Sequence, residues 1–299
     1  MYDVVIVGAG PAGLTAGIYA GRSALKTIII DEAQSGGTVN EAPLIENYPG
    51  YDEIAGMDLA EKITTQASKY CEIREFAYVE DITKNSDDTF NVTVDDEVLN
   101  TRFVILATGT KYKTLDVEHI DEYTGRGVSY CAVCDGGFFI GREVLVVGGG
   151  NSAATEALYL NRIGVNCSIV HRRDELRCDG KLKSDIKEAG IKVYWDSEVK
   201  AINASSKLES VVIHNKKTGV DETVDVAALF VAIGHDANNQ LAVDCNIKCD
   251  DNGYIIVDSD MQTSTDGIFA VGDVTGGIKQ IIVAEAQGAV AISKIDSLI

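Results

Sequence analysis

The sequence predicts an α/β chain built from two Rossmann-like units, each of three layers (ββα), with one unit inserted into the other. Three observations predict this. The pattern of apolar strand, glycine turn and helix at Asp3–Gly21 returns at Glu143–Arg162. Each copy is followed by a short run of alternating strands with polar turns. A last buried strand, Gly267 to Val271, belongs by pattern to the first unit, although the second lies between.

A length of 299 residues suits about two domains. Apolar residues at 45% and charged residues at 24% are ordinary for a soluble globular chain. The net charge of −20 repels nucleic acid and anionic membrane, so neither is expected as a partner. No apolar run reaches the roughly 20 residues of a membrane span. The first strand has no charged, cleavable segment ahead of it, so a cytoplasmic location is expected. The seven cysteines are odd in number and mostly scattered, unlike a secreted disulfide framework.

Asp3–Val7 reads as a strand buried on both faces. In Gly8-Ala9-Gly10-Pro11-Ala12-Gly13, Gly8 permits the tight turn and Gly10 a close approach to a pyrophosphate. Gly13 lets the following helix pack on the strand, with its N-terminus towards the negative charge. The next strand, Lys26–Ile30, ends in Asp31 and Glu32, where a carboxylate can bind ribose hydroxyls. A carboxylate there argues against a 2′-phosphate and favours FAD or NAD. Gly36-Gly37 and Glu46-Asn47-Tyr48-Pro49-Gly50 are loops, and Gly56–Ala67 has helical spacing. Val79–Lys84, Phe90–Val94 and Val98–Thr101 form an expected antiparallel meander. Arg102–Ala107 follows as a separate buried strand, closed by Thr108-Gly109.

The polar stretch Lys111–Gly127 is the expected first crossing between domains. Cys131-Ala132-Val133-Cys134-Asp135 comes next. Two cysteines at this spacing can close and open a small disulfide, and the acid beside them can carry a proton. A zinc site would need four ligands, and no second paired motif exists, so no metal is expected. Glu143–Val147 and Gly148-Gly149-Gly150-Asn151-Ser152-Ala153 then repeat the nucleotide turn, with a helix expected from about Ala154 to Arg162. The strand Asn166–Val170 ends in His171-Arg172-Arg173, with Arg177 beyond. Arginine at that place can accommodate a ribose 2′-phosphate through paired hydrogen bonds. The second nucleotide is therefore expected to be NADPH and the first FAD. A helix over Lys181–Ala189 and a meander of Lys192–Trp195, Leu208–Asn215 and Gly219–Val224 follow. Ala227–Ile233 is a buried strand ending at Gly234. After a second crossing near Asn238–Asn246, the chain runs through Gly253–Val257 and Gly272-Asp273 to a helix over Ile281–Ile295. The domains expected are residues 1–112 with 244–299 for FAD, and residues 113–243 for NADPH and the dithiol.

Together these motifs resemble the low-molecular-weight thioredoxin reductases of bacterial and archaeal type, over essentially the whole chain. The resemblance implies a homodimer that passes electrons from NADPH through FAD and a Cys131–Cys134 dithiol to thioredoxin or a thioredoxin-like protein. It implies that Cys134 faces the flavin, that Cys131 attacks thioredoxin, and that Asp135 moves the proton. Around FAD it implies Gly8, Gly10, Pro11, Ala12, Gly13, Asp31, Glu32, Gly37, Thr38 and Asn47, with Ala107, Thr108, Gly109, Gly272, Asp273, Lys279, Gln280 and Ile281. Around NADPH it implies Gly148, Gly150, Asn151, Ser152, Ala153, Glu156, His171, Arg172, Arg173, Arg177, Ile233 and Gly234. The chain departs from the family pattern at Asn151, usually Asp, and at Lys279, usually Arg. Gly137 replaces the first of two docking aromatics, leaving Phe138 and Phe139, and Asp236-Ala237-Asn238 lacks a usual proline. Some relatives take electrons from NADH, ferredoxin or a deazaflavin, or act as dithiol oxidases, and these are the alternative readings.

Overall fold

The strand Tyr2–Val7 lies at the centre of its sheet, and its alternation sets the layers of the unit around it. Val4 and Ile6 face a core with Leu14, Ile18, Leu59, Ile63 and Ile292. Those residues come from the helices Pro11–Arg22, Gly56–Ala67 and Ile281–Asp296. Val5 and Val7 point the other way, into a core with Phe90, Val92 and Val94 of the meander. Successive strand residues point to opposite faces, so one apolar run supports helices on one side and strands on the other. The computed structural model describes residues 1–42, 45 and 47–299, without the side chains of Glu41 and Cys134; Pro43, Leu44 and Glu46 lie outside the description.

Two units result, Met1–Lys111 with Asp236–Ile299, and Tyr112–His235. In the first, the strands run in the order Glu72–Arg74, Thr27–Ile30, Tyr2–Val7, Glu97–Leu106, Phe90–Val94, Val79–Lys84. The first four are parallel to one another, and Ile268–Ala270 adds a parallel pairing to Glu97–Leu106. The last two turn antiparallel. Glu97–Leu106 corrects the expectation of two strands broken at Asn100-Thr101-Arg102. Its first half pairs with Phe90–Val94 and its end with Ile268–Ala270. The polar residues stay in the strand because they find partners. Asn100 Nδ2 donates to Asn91 Oδ1, and Asn91 Nδ2 donates to Asn85 Oδ1 at 2.9 Å.

The second unit repeats the arrangement. Its parallel sheet runs Lys192–Tyr194, Asn166–Val170, Glu143–Val147, Ala228–Val231, Val128–Ser129. Val144 and Val146 pack under Ala153, Ala157 and Leu160 of the helix Asn151–Arg162. Leu145 and Val147 pack over Val199, Leu208, Val211 and Ile213 of the meander. The meander itself is corrected to Ser197–Ala204, Leu208–Asn215 and Asp221–Asp225. Lys192–Tyr194 belongs to the parallel sheet, paired with Asn166–Val170. The register of Ser197–Ala204 shifts between Val199 and Ala201. Such a shift breaks the period-two pattern by which a strand is read from sequence.

The return crossing also differs from the expected one. Residues 236–243 were expected in the inserted domain and lie instead in the first unit. The helix Gln240–Asp244 buries Ala242, and Ile247 follows it into the core that holds Val79 and Ile82. Cys245 Sγ donates to the Ile82 carbonyl at 3.4 Å. Gly253–Val257 forms no strand, only an isolated bridge at Ile255. Among the described residues no helix is long and apolar enough to cross a membrane.

The helices Pro11–Arg22 and Ile281–Asp296 meet at Gly288, where a Cβ would fall on the Ala12 carbonyl. Gly288→Val should therefore force the pair apart and cost about 1–3 kcal/mol. Thermal melting of Gly288→Val beside Gly137→Ala, whose Cβ would meet nothing within 4 Å, checks this. Only the first should lower the melting temperature.

Candidate functional site

The first unit carries a cavity of about 830 Å³ at the carboxyl ends of its parallel strands. That is where open α/β sheets bind ligands. The cavity begins at the glycine turn. A Cβ on Gly8, which has φ of 109°, would fall on the Ala107 carbonyl. Gly13 is equally closed, because a Cβ there would overlap the Gly8 carbonyl. Gly13 lies beneath the cavity and not among its lining residues. Gly10 differs: nothing lies within 4 Å of its ideal Cβ, and it opens onto the cavity with Pro11 and Ala12. Gly36 N–H donates to the Ala9 carbonyl at 2.8 Å, which lays Gly37 and Thr38 across the turn.

The remaining predicted residues come from three other segments. Ala107, Thr108 and Gly109 line the cavity after the strand Glu97–Leu106, and Gly272 and Asp273 after Ile268–Ala270. Lys279, Gln280 and Ile281 line it at the start of the last helix. Asn47 is not in the lining; its Nδ2 donates to Gln280 Oε1 at 2.8 Å. Glu46, beside it in the same motif, lies outside the described residues. Lys279 Nζ donates to Tyr254 Oη at 2.7 Å. Burial raises the Asp273 carboxyl, and nearby Lys279 opposes the rise.

Asp31 and Glu32 divide differently from the expectation. Asp31 Oδ2 accepts the Ala9 N–H at 2.5 Å and its Oδ1 accepts the Ala33 N–H at 2.8 Å. Its carboxylate thus fastens the glycine turn to the strand end. Glu32 is exposed at the cavity and makes no hydrogen bond among the described residues, so it is the freer carboxylate. Sequence reading missed Tyr78 and Asn238 in this wall. Asn238 Nδ2 donates to the Thr108 carbonyl at 2.9 Å, and Thr108 Oγ1 donates to the Asn238 carbonyl at 2.6 Å. Residues 130 apart in sequence leave no local signal of that pairing. Tyr78 follows Phe76, whose positive φ of 56° turns the chain.

The second glycine turn is built alike. A Cβ on Gly148 would fall on the Ala232 carbonyl and lie 2.7 Å from Ala153 Cβ, while Gly150 is open. Ile233 and Gly234 follow Ala232, as Thr108 and Gly109 follow Ala107. Asn151 opens the helix and exchanges two hydrogen bonds with Asp179, each of 2.9 Å. An aspartate at 151 could not donate to that carboxylate. Ser152 is exposed beside it. One turn on, Glu156 Oε2 is buried without a hydrogen-bond partner among the described residues, and burial pushes the carboxyl up to about 7. Arg172, Arg173 and Arg177 are exposed, and none has an ion-pair partner among the described residues, whereas His171 is buried.

The cysteine motif lies in the same unit. Cys131 is disulfide-bonded, and Cys71, Cys167, Cys178, Cys245 and Cys249 are free. Cys134 sits in the short helix Ala132–Asp135, with its side chain outside the description. Ser129 Oγ accepts the Cys131 N–H at 3.1 Å, and Asp135 N–H donates to the Cys131 carbonyl at 3.1 Å. Two contacts fix the turn to its unit. A Cβ on Gly136 would lie 2.7 Å from Leu160 Cδ2, and Phe139 meets Phe230 edge-on at 5.9 Å. Phe138 is 81% exposed, so only one of the two aromatics faces outward. Among the described residues no group of His, Cys, Asp and Glu could hold a metal ion.

Comparison with known proteins gives this geometry a family. The signature of the pyridine nucleotide-disulphide oxidoreductases matches residues 2–288. The chain belongs to that family. The thioredoxin reductase of Listeria monocytogenes is 37% identical over 296 residues, 97% of this chain and 92% of that one. The structure of Lactococcus lactis thioredoxin reductase is 40% identical, with a TM-score of 0.83 and 100% of both chains covered. The T. acidophilum thioredoxin reductase is 36% identical, with a TM-score of 0.82 over 99% of this chain and 98% of that one. Membership in the pyridine nucleotide-disulphide oxidoreductases brings a flavin and a pyridine nucleotide. The residues here fit two such groups. Each unit has a glycine turn open at its second position, and the first has a cavity whose rim carries Glu32, a carboxylate without a hydrogen bond among the described residues.

The unpaired acid of the second turn has a consequence for stability. The folded Glu156 carboxyl, at about 7, lies above its ordinary value of 4.5. The folded state then binds the proton more tightly than the unfolded chain, so this contribution is full below about pH 4.5 and lost as pH rises through about 7. Glu156→Gln should therefore gain stability over wild type at pH 8 by up to about 3 kcal/mol, with the gain shrinking towards pH 5. Urea unfolding of both proteins without coenzyme, at several pH values, measures it. A pH-independent difference would remove the buried acid as its cause.

Proposed function

We propose that the chain is an NADPH-dependent thioredoxin-disulfide reductase with FAD as its flavin. The observation that carries this reading is the disulfide-bonded Cys131 in the unit that also presents Arg172, Arg173 and Arg177. The thioredoxin reductases among its relatives, similar over nearly the whole chain, support it. On this reading the cavity of residues 1–111 with 236–299 takes FAD, and residues 112–235 take NADPH. On the same reading the chain works in the cytoplasm and, as the resemblance implies, as a homodimer. When bound, the two cofactors would supply the electron pair that reduces the Cys131–Cys134 disulfide, with NADPH as hydride donor and FAD as its acceptor.

The residues of the chain have separate tasks. Gly10 and Gly150 let the backbone meet a pyrophosphate, and Glu32 takes the ribose hydroxyls of the first nucleotide. The three arginines neutralise the 2′-phosphate of the second, in a chain of net charge −20 that otherwise repels it. In the reduced enzyme the Cys131 thiolate attacks one sulfur of the thioredoxin disulfide. A mixed disulfide forms as the thioredoxin S–S bond breaks. Cys134 then attacks Cys131, closing the enzyme disulfide and releasing the second thioredoxin thiolate. Asp135 gives and recovers the proton these thiolates need. The exposed arginines argue for NADPH over ferredoxin, deazaflavin or oxygen as the partner of the flavin.

Two experiments test the reading. Arg172→Ala should weaken NADPH by about ten- to a hundredfold and leave NADH nearly unchanged, because a charge-assisted bond is worth roughly 1.5–3 kcal/mol. Equal loss for both coenzymes in anaerobic flavin titrations would show that the arginines do not read the phosphate. Cys134→Ser should trap a covalent thioredoxin adduct through Cys131 on a non-reducing gel, and Cys131→Ser none. Both should still bleach the flavin with NADPH, a step that needs neither sulfur. Full thioredoxin turnover in both variants would take the dithiol out of the mechanism.

A further inference from the structure

His171 stands in the same basic run as the three arginines but not on the same side of the backbone. Its side chain is buried, the residue being 5% exposed, while Arg172, Arg173 and Arg177 are exposed. The imidazole lies where a Cβ of Gly149 would be, under the middle residue of the second glycine turn. Gly149 therefore lacks a side chain for the sake of this ring. Nε2 is 2.9 Å from the Glu175 carbonyl oxygen. A carbonyl can only accept, so Nε2 carries the proton and donates. Burial lowers the pKa of the ring and the neighbouring guanidinium groups add to it, against the opposing pull of the Glu175 carbonyl. A buried, uncharged ring already committed to a carbonyl is poorly placed to hold a phosphate.

Its partner is what matters. Glu175 is the middle of the loop that carries the arginines. The same loop is fixed at its far end, where Arg177 N–H donates to the Gly149 carbonyl at 2.6 Å. Beyond it, Asp179 exchanges its two bonds with Asn151. Near the start of the loop, the Arg173 carbonyl accepts the Asp196 N–H at 3.0 Å. Three of these ties use loop backbone and one joins the Asn151 and Asp179 side chains, and none uses a guanidinium group. The arginines are left free while the chain beneath them is held.

We infer that His171 is a positioning residue for coenzyme discrimination, which holds the 172–177 loop through Glu175 so that the arginines meet a ribose 2′-phosphate. The inference rests on the NADPH reading and deepens it. Without the Nε2 bond the loop keeps its outer ties and two exposed lysine contacts, Lys183 Nζ to Glu175 Oε1 at 2.5 Å and Lys217 Nζ to Asp174 Oδ2 at 3.4 Å, but loses the central bond to its backbone. The guanidinium groups must then be ordered by the ligand, at the ligand's expense. Ligands without a 2′-phosphate do not need that order and should not notice.

The test compares 2′,5′-ADP with 5′-AMP on the flavin-loaded enzyme, since the two differ in the 2′-phosphate. His171→Phe and His171→Leu remove the donor and keep the site apolar, and His171→Gln restores an amide donor. Calorimetry gives both affinities. Trp195, the single tryptophan of the chain, meets the His171 ring edge-on at 6.4 Å and offers a second readout by fluorescence. Wild type should prefer 2′,5′-ADP at least about tenfold, and whichever donorless variant folds should lose about five- to tenfold of that preference. Its 5′-AMP affinity should stay as in wild type, and His171→Gln should recover part of the loss. Steady state should agree, with KM for NADPH raised and kcat unchanged. Unaltered discrimination in a donorless variant would overturn the inference, as would equal weakening of both ligands. A wild type with no preference would overturn the NADPH reading and this inference with it.

Discussion

One steric constraint recurs in both units, and the sites depend on it. The first glycine of each fingerprint lies so close to a neighbouring strand end that a Cβ would fall on its carbonyl, Ala107 for Gly8 and Ala232 for Gly148. Parallel pairing brings those strands together, with Val7 beside Leu106 and Val147 beside Val231. The contact closes the floor of the turn, while the second glycine, Gly10 in one unit and Gly150 in the other, stays open. Any side chain at Gly8 or Gly148 would lift the turn from the sheet. The cost would include the strand pairing beneath as well as the turn itself.

Much of this was legible because buried parallel strands write continuous apolar runs. Asn166–Val170 and Gly56–Ala67 stand where the pattern put them. The glycine turns were legible because each of their residues has a separate steric reason. Reading failed where a strand passes from one environment to another. Glu97–Leu106 serves the solvated meander and then the buried sheet, so its polar middle looked like a break. It failed again at Ser197–Ala204, where a bulge inverts the alternation. At the candidate sites, residue types were legible but their orientation was not. Asp31 and His171 both stand at expected ends of strands, yet each turns to the backbone and leaves the exposed position to a neighbour. Only the fold decides which of two adjacent polar residues turns inward.

That substitution follows a common logic in the two units. After the second strand of each sheet the chain must bend back over its glycine turn, and the bend needs fixed partners. In the first unit a carboxylate accepts a backbone N–H from the turn. In the second an imidazole donates to a backbone carbonyl of the loop that covers it. Each polar side chain at the strand end satisfies main chain that a buried bend would otherwise leave unpaired. The next residues, Glu32 in one and Arg172 and Arg173 in the other, are thereby free for a ligand, and their opposite charges suit different riboses.

The cysteine turn shows the same separation of support from use. Ala132, Gly136 and Phe139 face inward, against Leu160 and Phe230, and leave no room for larger side chains at Gly136. Val133, Phe138 and Ile140 face outward as exposed apolar groups. A turn held on one side only can keep Cys131 fixed while its outer rim meets another protein. With Gly137 where the resembled family carries an aromatic and Phe139 turned into the core, Phe138 is the one of the two phenylalanines that supplies aromatic area at that rim. On the thioredoxin reading, docking then leans on this one ring and its aliphatic neighbours. Interface energy concentrates in a few large groups desolvated at the centre of the contact, and at this turn Phe138 is a large group left exposed to serve as one.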